Sequence, residues 1–418
     1  MNQINSQENL MQKSGMLCER ENPIQRYVLL EYVLVCLLFW SSGNATYQTI
    51  FGGSRNASII TLLVMVLILF FKKEPCKQTN KTISIYLFFI LLEFYHYMIG
   101  APLVSCIGGL IRITTGWLVV FFQKEFMHLY VRTIVVLTII SLFMWLNTIL
   151  GNNLKYIIIS FLPGSSDGYT IIHTFHPRGD VWYRNCSIFW EPGAFAGYLI
   201  LGLIFQHIIS QKTFSKKAKM NMVIIIIGIL TTFSTMGYIA LFSYIILLQT
   251  TKHVKKKLPI NLFAIILFGV FSAYAFYSLP FLNEKISKEL DSIKNESYNW
   301  RITRVGSIIS DYEMIAKHPI LGSGYNYSAM GYDETLKAGM GNGFSDFVLK
   351  NGLLGFLLWT YGVLSFLSIS GNKKQIIGLL LILMLTLQGE MFLNYPLYLS
   401  LMFLGTPSQQ NDNETIKR

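Results

Sequence analysis

Residues 222–250 read MVIIIIGILTTFSTMGYIALFSYIILLQT, a run of 29 positions without a charge. As one helix the run would span about 43 Å at ~1.5 Å per residue, too long for a ~30 Å hydrocarbon core. A single crossing would also place Lys212, Lys216, Lys217 and Lys219 on the opposite side of a membrane from Lys252, Lys255, Lys256 and Lys257. Two short passes, broken at Ser234-Thr235-Met236-Gly237, keep both lysine clusters on one side. The fold is therefore read as a bundle of membrane-crossing helices.

Working outward, apolar runs recur at about 27–41, 57–71, 83–100, 103–122, 131–150, 191–209, 260–280, 352–370, 376–393 and 395–405. With the two short passes they predict about 12 transmembrane helices and both termini on the same side. The linkers fall into two alternating sets. One is short and basic and includes Lys72/Lys73/Lys77/Lys81, Lys124/Arg132, the two lysine clusters and Lys373/Lys374; with the termini it holds 21 basic against 7 acidic residues. The other holds 12 of each. Short Lys/Arg-rich linkers stay cytoplasmic, so the basic set is expected inside and the neutral set outside. Residues 1–26 and 406–418 are then cytoplasmic tails around an integral membrane domain over 27–405. The two long polar segments, about 151–190 and 281–351, are both external.

Composition agrees. Mean hydropathy is +0.46, with 52% hydrophobic and 13% charged residues, which excludes an ordinary soluble domain. The net charge of +12 tracks linker ends and not one face, so membrane lipids and not nucleic acid are the expected partners. The first residues are polar, and no cleavable signal peptide is expected. Of five cysteines only Cys186 falls outside, so no intramolecular disulfide is expected, and no His/Cys cluster has metal spacing.

Three stretches carry candidate chemistry. The first, Arg184 to Gly197, contains Glu191-Pro192 where an external loop becomes a helix. Proline suits the first helical turn and a carboxylate suits the positive end of the dipole; the same carboxylate could accept a proton from a sugar hydroxyl. The second runs from Trp300 through Arg301 and Arg304 to His318-Pro319 and Gly324. Arg301, Arg304, Ile308, Asp311 and Ile315 share one stripe of a helix predicted over about 299–317, terminated by Pro319, Gly322 and Gly324. The third runs from Gly341-Asn342-Gly343-Phe344 to Lys350-Asn351-Gly352-Leu353-Leu354-Gly355. Inside the apolar runs, Glu93, His96 and Arg112 need partners, because a lone charge at mid-bilayer costs roughly 2.5–3.5 kcal/mol. A Glu93–Arg112 pair across adjacent helices would satisfy both. Glu31 and Glu390 are similarly placed near helix ends. Tyr169, Trp182, Tyr183 and Trp190 are suited to stacking on sugar rings.

Taken in order, Arg184–Gly197, the Thr231–Tyr238 break, Arg301–Gly324 and Asn342–Gly355 resemble the O-antigen polymerase/ligase superfamily of bacterial envelope glycosyltransferases. The resemblance implies an all-α GT-C-like bundle with two long periplasmic loops carrying short helices, in the bacterial inner membrane. It implies transfer of an undecaprenyl-diphosphate-linked glycan to an acceptor sugar at the periplasmic face, with no nucleotide sugar, cofactor or metal. By position, Arg184, Arg301 and Arg304 would hold the diphosphate, where a fixed guanidinium offsets leaving-group charge bidentately. Arg178, His176, Asp180, His318 and Asn342 are candidate substrate-binding residues.

Ligases of the superfamily carry a histidine immediately before the asparagine of the third motif. Here that position is Gly341, which favours the polymerase branch and leaves the general base open: Glu191 first, then His318, His176 and Asp180. A ligase acting on the lipid A core and a repeat-unit flippase are the alternatives; unlike halves and polar groups gathered in external loops argue against a transporter. Whether a chain-length regulator protein binds is open.

Overall fold

The computed structural model describes residues 23–71, 79–151, 154–162, 168–175, 184–211, 215–251, 311–326 and 342–405. Each apolar run within them is helical. In chain order the helices are α1 (Pro23–Ser41), α2 (Ala45–Ile50), α3 (Ser54–Phe71), α4 (Asn80–Met98), α5 (Leu103–Leu118), α6 (Gln123–Ile149), α7 (Leu154–Phe161), α8 (Pro192–Ile209), α9 (Lys216–Thr231), α10 (Thr235–Thr251), α11 (Gly343–Leu367), α12 (Lys373–Leu387) and α13 (Pro396–Leu399). Among the described residues five helices are long and apolar enough to cross a membrane: Ser54–Phe71, Leu103–Phe122, Phe126–Ile149, Pro192–Ile209 and Gly343–Ser370. Leu29–Ser41 and Thr235–Gln249 are shorter apolar helices. Among the described residues the extended pairing is one isolated bridge, Tyr169 with Thr174. The run 260–280 and the predicted helix before residue 311 lie outside the described residues; 311–315 is helical.

The charge-free run breaks where its length requires: α9 ends at Thr231 and α10 starts at Thr235. Helix α12 ends at Leu387, six residues short of the run's end at 393, and α13 starts at Pro396.

Helix α8 is the axis of the bundle, 83% buried along its apolar length and packed against α6, α9, α10 and α12. A helix apolar all round belongs in such a place. Gly197 makes the close approach possible: a Cβ there would fall 2.0 Å from the Phe392 ring. Buried tyrosines then tie backbones together, with Tyr130 donating to the Tyr198 carbonyl at 2.9 Å, Tyr398 to the Gly197 carbonyl at 2.9 Å and Tyr198 to the Ser42 carbonyl at 2.8 Å. Exposed Leu63, Leu67, Leu87, Leu91, Val136 and Phe143 line the outer surface, as lipid-facing positions should.

The two linker sets separate in space. Linkers of the neutral set meet one another: Trp40 Nε1 donates to the Ile171 carbonyl at 2.9 Å, Asn44 Nδ2 to those of Thr170 at 3.1 Å and Ile188 at 2.8 Å, and Asn326 Nδ2 to that of Ile99 at 2.9 Å. Two members of the basic set likewise meet, with Gln211 donating to Gln375 at 3.4 Å.

One boundary differs from the sequence reading. The second polar segment was expected to run to residue 351, but 343–351 is helical and Ser345 to Lys350 are buried. Helix α11 is discontinuous at Gly352, whose φ of 68° and ψ of 176° leave the helix. Residues 319–324 fill the gap. Leu353 and Leu354 donate to the Pro319 and Ile320 carbonyls at 2.9 and 3.1 Å, while Ser323 and Gly324 donate to those of Leu349 and Lys350 at 3.0 Å each. Backbone groups freed by a break inside a bundle need such substitutes.

Candidate functional site

The docking of 319–324 onto the broken helix draws a polar cluster into the bundle. Lys350, the last-but-one residue before the break, lies four positions after Asp346, so the two share a helix face. They form an ion pair of 2.8 Å with both side chains buried. Asn394, on the break before α13, donates to Asp346 Oδ2 at 3.1 Å and accepts from Lys350 Nζ at 3.4 Å. Tyr325 follows the docked segment and donates to Asn394 Oδ1 at 3.4 Å, with Lys350 Nζ 4.6 Å from its ring centroid. Arg112 of α5 donates to the Tyr325 hydroxyl, its guanidinium 5.1 Å from the same ring.

The expected Glu93–Arg112 pair is therefore not formed. Arg112 takes Tyr325, while Glu93 lies 3.7 Å from His96 Nδ1 one helical turn away and against Gly109. His96 Nε2 in turn sits 2.9 Å from the Leu321 carbonyl. Glu93, His96, Arg112, Tyr325, Lys350 and Asn394 nevertheless line one small recess.

Two larger cavities adjoin. The first, about 420 Å³, is walled by Ser41, Gln48, Ser54, Arg55, Ser58, Ser105, Gly108, Arg112, Tyr325, Asn394 and Tyr395, among others. The second, about 230 Å³, is lined by Gly43, Gln48, Trp190, Glu390, Asn394 and Tyr395. Gln48, Asn394 and Tyr395 belong to both walls. Trp190 and Tyr395, whose rings lie 5.1 Å apart and tilted by 32°, form an aromatic pair in the wall of the second cavity.

Arg184 takes a position at the end of α9, donating from Nε to the Thr232 carbonyl at 3.1 Å and from Nη2 to the Phe233 carbonyl at 3.0 Å. Glu191 is the N-cap of α8 with Pro192 at the first turn, but its side chain makes no cap hydrogen bond. Asn342 is a true N-cap: its Oδ1 accepts from the backbone N–H groups of Phe344 at 2.9 Å and Ser345 at 3.2 Å. His318 is half-buried where 311–315 ends, and its carbonyl accepts from Gly322 at 3.0 Å. None of these four lines the three cavities. Arg301, Arg304, His176, Arg178 and Asp180 lie outside the described residues.

Beside the cluster, Asp311 is buried and accepts a hydrogen bond from the Ser345 hydroxyl. Burial lifts its carboxyl to about 6, a rise opposed by that hydrogen bond and aided by the charge of Asp346. Burial likewise lowers His173, in the turn at 168–175, to about 3, so its ring stays neutral.

Sequence reasoning did not single out Arg55, Asp346, Tyr325 or Asn394. Asp346 and Lys350 carried a signal in their i, i+4 spacing, and Arg112 in its place within an apolar run. Arg55 carried none, since an arginine in a polar linker is ordinary.

No curated protein and no solved structure matches the chain. The stretch 220–360, from α9 through the broken half of α11, contains Asp311, Tyr325, Asp346 and Lys350. A family model described as O-antigen ligase matches that stretch, about a third of the chain, in agreement with the O-antigen polymerase/ligase superfamily that the motifs resemble.

Proposed function

We propose that the protein polymerises undecaprenyl-diphosphate-linked oligosaccharide repeats into O-antigen or a related surface polysaccharide at the periplasmic face of the bacterial inner membrane. The supporting observation is the polar cluster formed where residues 319–325 dock on the broken α11: its Tyr325, Asp346 and Lys350 lie within the stretch matched by the family model, and Arg112 joins it from α5. In this reaction an acceptor sugar hydroxyl attacks the anomeric carbon of the donor. The bond from that carbon to the diphosphate oxygen breaks, and the lipid diphosphate leaves with the electron pair. Fixed cations offset its charge, a role proposed for Arg184, Arg301 and Arg304. The hydroxyl proton passes to a carboxylate, proposed to be Glu191. Glycine at position 341, where ligases carry histidine, favours polymerase over ligase.

The linker charges support an orientation with both termini in the cytoplasm and the cluster outside. Deleting the gene in its host tests the reading. Surface glycan capped with a single repeat, restored to long chains on complementation, is expected. A bare lipid A core with lipid-linked polymer accumulating would instead identify a ligase and overturn the assignment. In the polymerase, Arg304→Ala is expected to give single-repeat product while the protein still inserts.

A further inference from the structure

We infer that the 420 Å³ cavity between α3 and α5 is a binding site for the diphosphate of a lipid-linked glycan, separate from the Arg184 position. Its volume falls within the roughly 300–1,000 Å³ usual for small-ligand sites. Two arginines on different helices, Arg55 and Arg112, face it, together with Gln48, Ser54, Ser58 and Ser105. No carboxylate lies in its wall among the described residues. A cavity with two guanidinium groups, several hydroxyls and no acid selects an anion with several oxygens. Arg112 also has the right direction. Helical side chains lean toward the N-terminus of their helix, and Leu103, where α5 begins, lies at the end where the neutral linkers meet.

Two features choose a lipid-linked ester over a soluble anion. Val104 lines the cavity while 45% exposed, next to the equally exposed Leu103 and Ile107, so one side of the cavity borders a lipid-facing surface through which a polyprenyl tail can leave. On the other side the wall continues through Gln48, Asn394 and Tyr395 into the recess that holds Trp190 and Glu390. An aromatic pair beside a carboxylate suits the first sugar rings of a glycan. The ligand's identity rests on the polymerase reading, which itself requires two sites: donor and acceptor each carry a lipid diphosphate, and Arg184, fixed on the 232–233 carbonyls, is not part of this cavity.

The test uses the full-length protein in lipid nanodiscs with undecaprenyl diphosphate as probe. Arg55 is exposed, so Arg55→Ala should leave the fold intact. Gly108 lines the cavity and an added Cβ there meets nothing within 4 Å, so Gly108→Leu places an apolar side chain at the cavity wall from an uncrowded position. Because the Arg184 position still takes the probe, wild type is expected to bind two equivalents, and both variants to weaken one of the two at least ten-fold while keeping the wild-type melting temperature. Binding of two equivalents with wild-type affinities in either variant overturns the assignment. Displacement of the probe by inorganic diphosphate at the same concentration would overturn the lipid-linked source. A deletion strain with a bare core would refute the polymerase reading and leave these binding results standing.

Discussion

Gly322 and Gly352 lie back to back. A Cβ on Gly322 would come 2.3 Å from the Lys350 carbonyl oxygen, and one on Gly352 would come 2.1 Å from that of Ile320. Both residues have left-handed φ, 72° and 68°. Their contact is the seam along which 319–324 docks on the broken α11. Alanine at either site meets backbone collision as well as the ~1–2 kcal/mol cost of that region for an L-residue. Gly371 supplies the control, with φ of 70° and nothing within 4 Å of an added Cβ. Gly371→Ala should lose about 1–2 kcal/mol, and Gly322→Ala or Gly352→Ala clearly more, read as melting temperature in detergent. Equal losses at the three positions would mean that the seam is not tight.

The Asp346–Lys350 pair holds Asn394 and Tyr325 in place from inside the bundle. Removing one member leaves a buried charge, at a cost of about 3–5 kcal/mol, whereas replacing both with apolar groups can be neutral. Asp346→Leu and Lys350→Met alone should each reduce folded yield sharply. The double variant should recover much of it yet remain inactive, because Asn394 loses its acceptor and its donor there. Recovery of polymer as well as fold in the double variant would remove the pair from any role in the site.

Asp311 gives stability a pH dependence of definite sign. Burial raises its native carboxyl to about 6, above the ordinary aspartate value of 3.8, so the native state binds the proton more tightly than the unfolded chain. Between these values the native state holds more protons, and its stability falls as pH rises. His173, lowered to about 3, works the other way, losing stability as pH falls below 6.5. Asp311→Asn isolates the first effect by mimicking the neutral acid. The variant should melt above wild type at pH 7.5, and the gap should close by pH 4. A gap of the same size at both pH values would show that Asp311 does not titrate in this window.

Much of this architecture is readable from residue chemistry alone. The break at 231–235 follows from the length of a charge-free run flanked by lysines, and the grouping of linkers from their charge. Motifs spaced by glycine and proline at 318–324 and 350–355 were visible as motifs, but their mutual docking was not. The hydrogen bonds that join them span some thirty residues and use backbone groups, which carry no residue-specific signal. Arg112 marked itself by its charge, yet its partner could not be guessed from helix adjacency: Glu93 was near in sequence, while Tyr325 arrives from 213 positions away.

Arg184 closes the end of α9, and one experiment separates that role from the diphosphate contact proposed for it. Its guanidinium forks onto the carbonyls of Thr232, the C-cap of α9, and of Phe233 in the turn that follows; helix ends leave carbonyls in need of such donors. Phe233 itself has a φ of 48°, so the turn needs outside support. Hydrogen bonds to a charged group contribute about 1.5–3 kcal/mol each, and Arg184→Ala should lower the melting temperature accordingly. Arg184→Lys keeps a charge but cannot reproduce the fork, so it should recover only part of that loss. If Arg184 also holds the lipid diphosphate, chain length per folded molecule must fall in both variants. Polymer that declines only in step with folded protein would restrict Arg184 to closing the end of α9, and the leaving-group charge would then fall to other arginines.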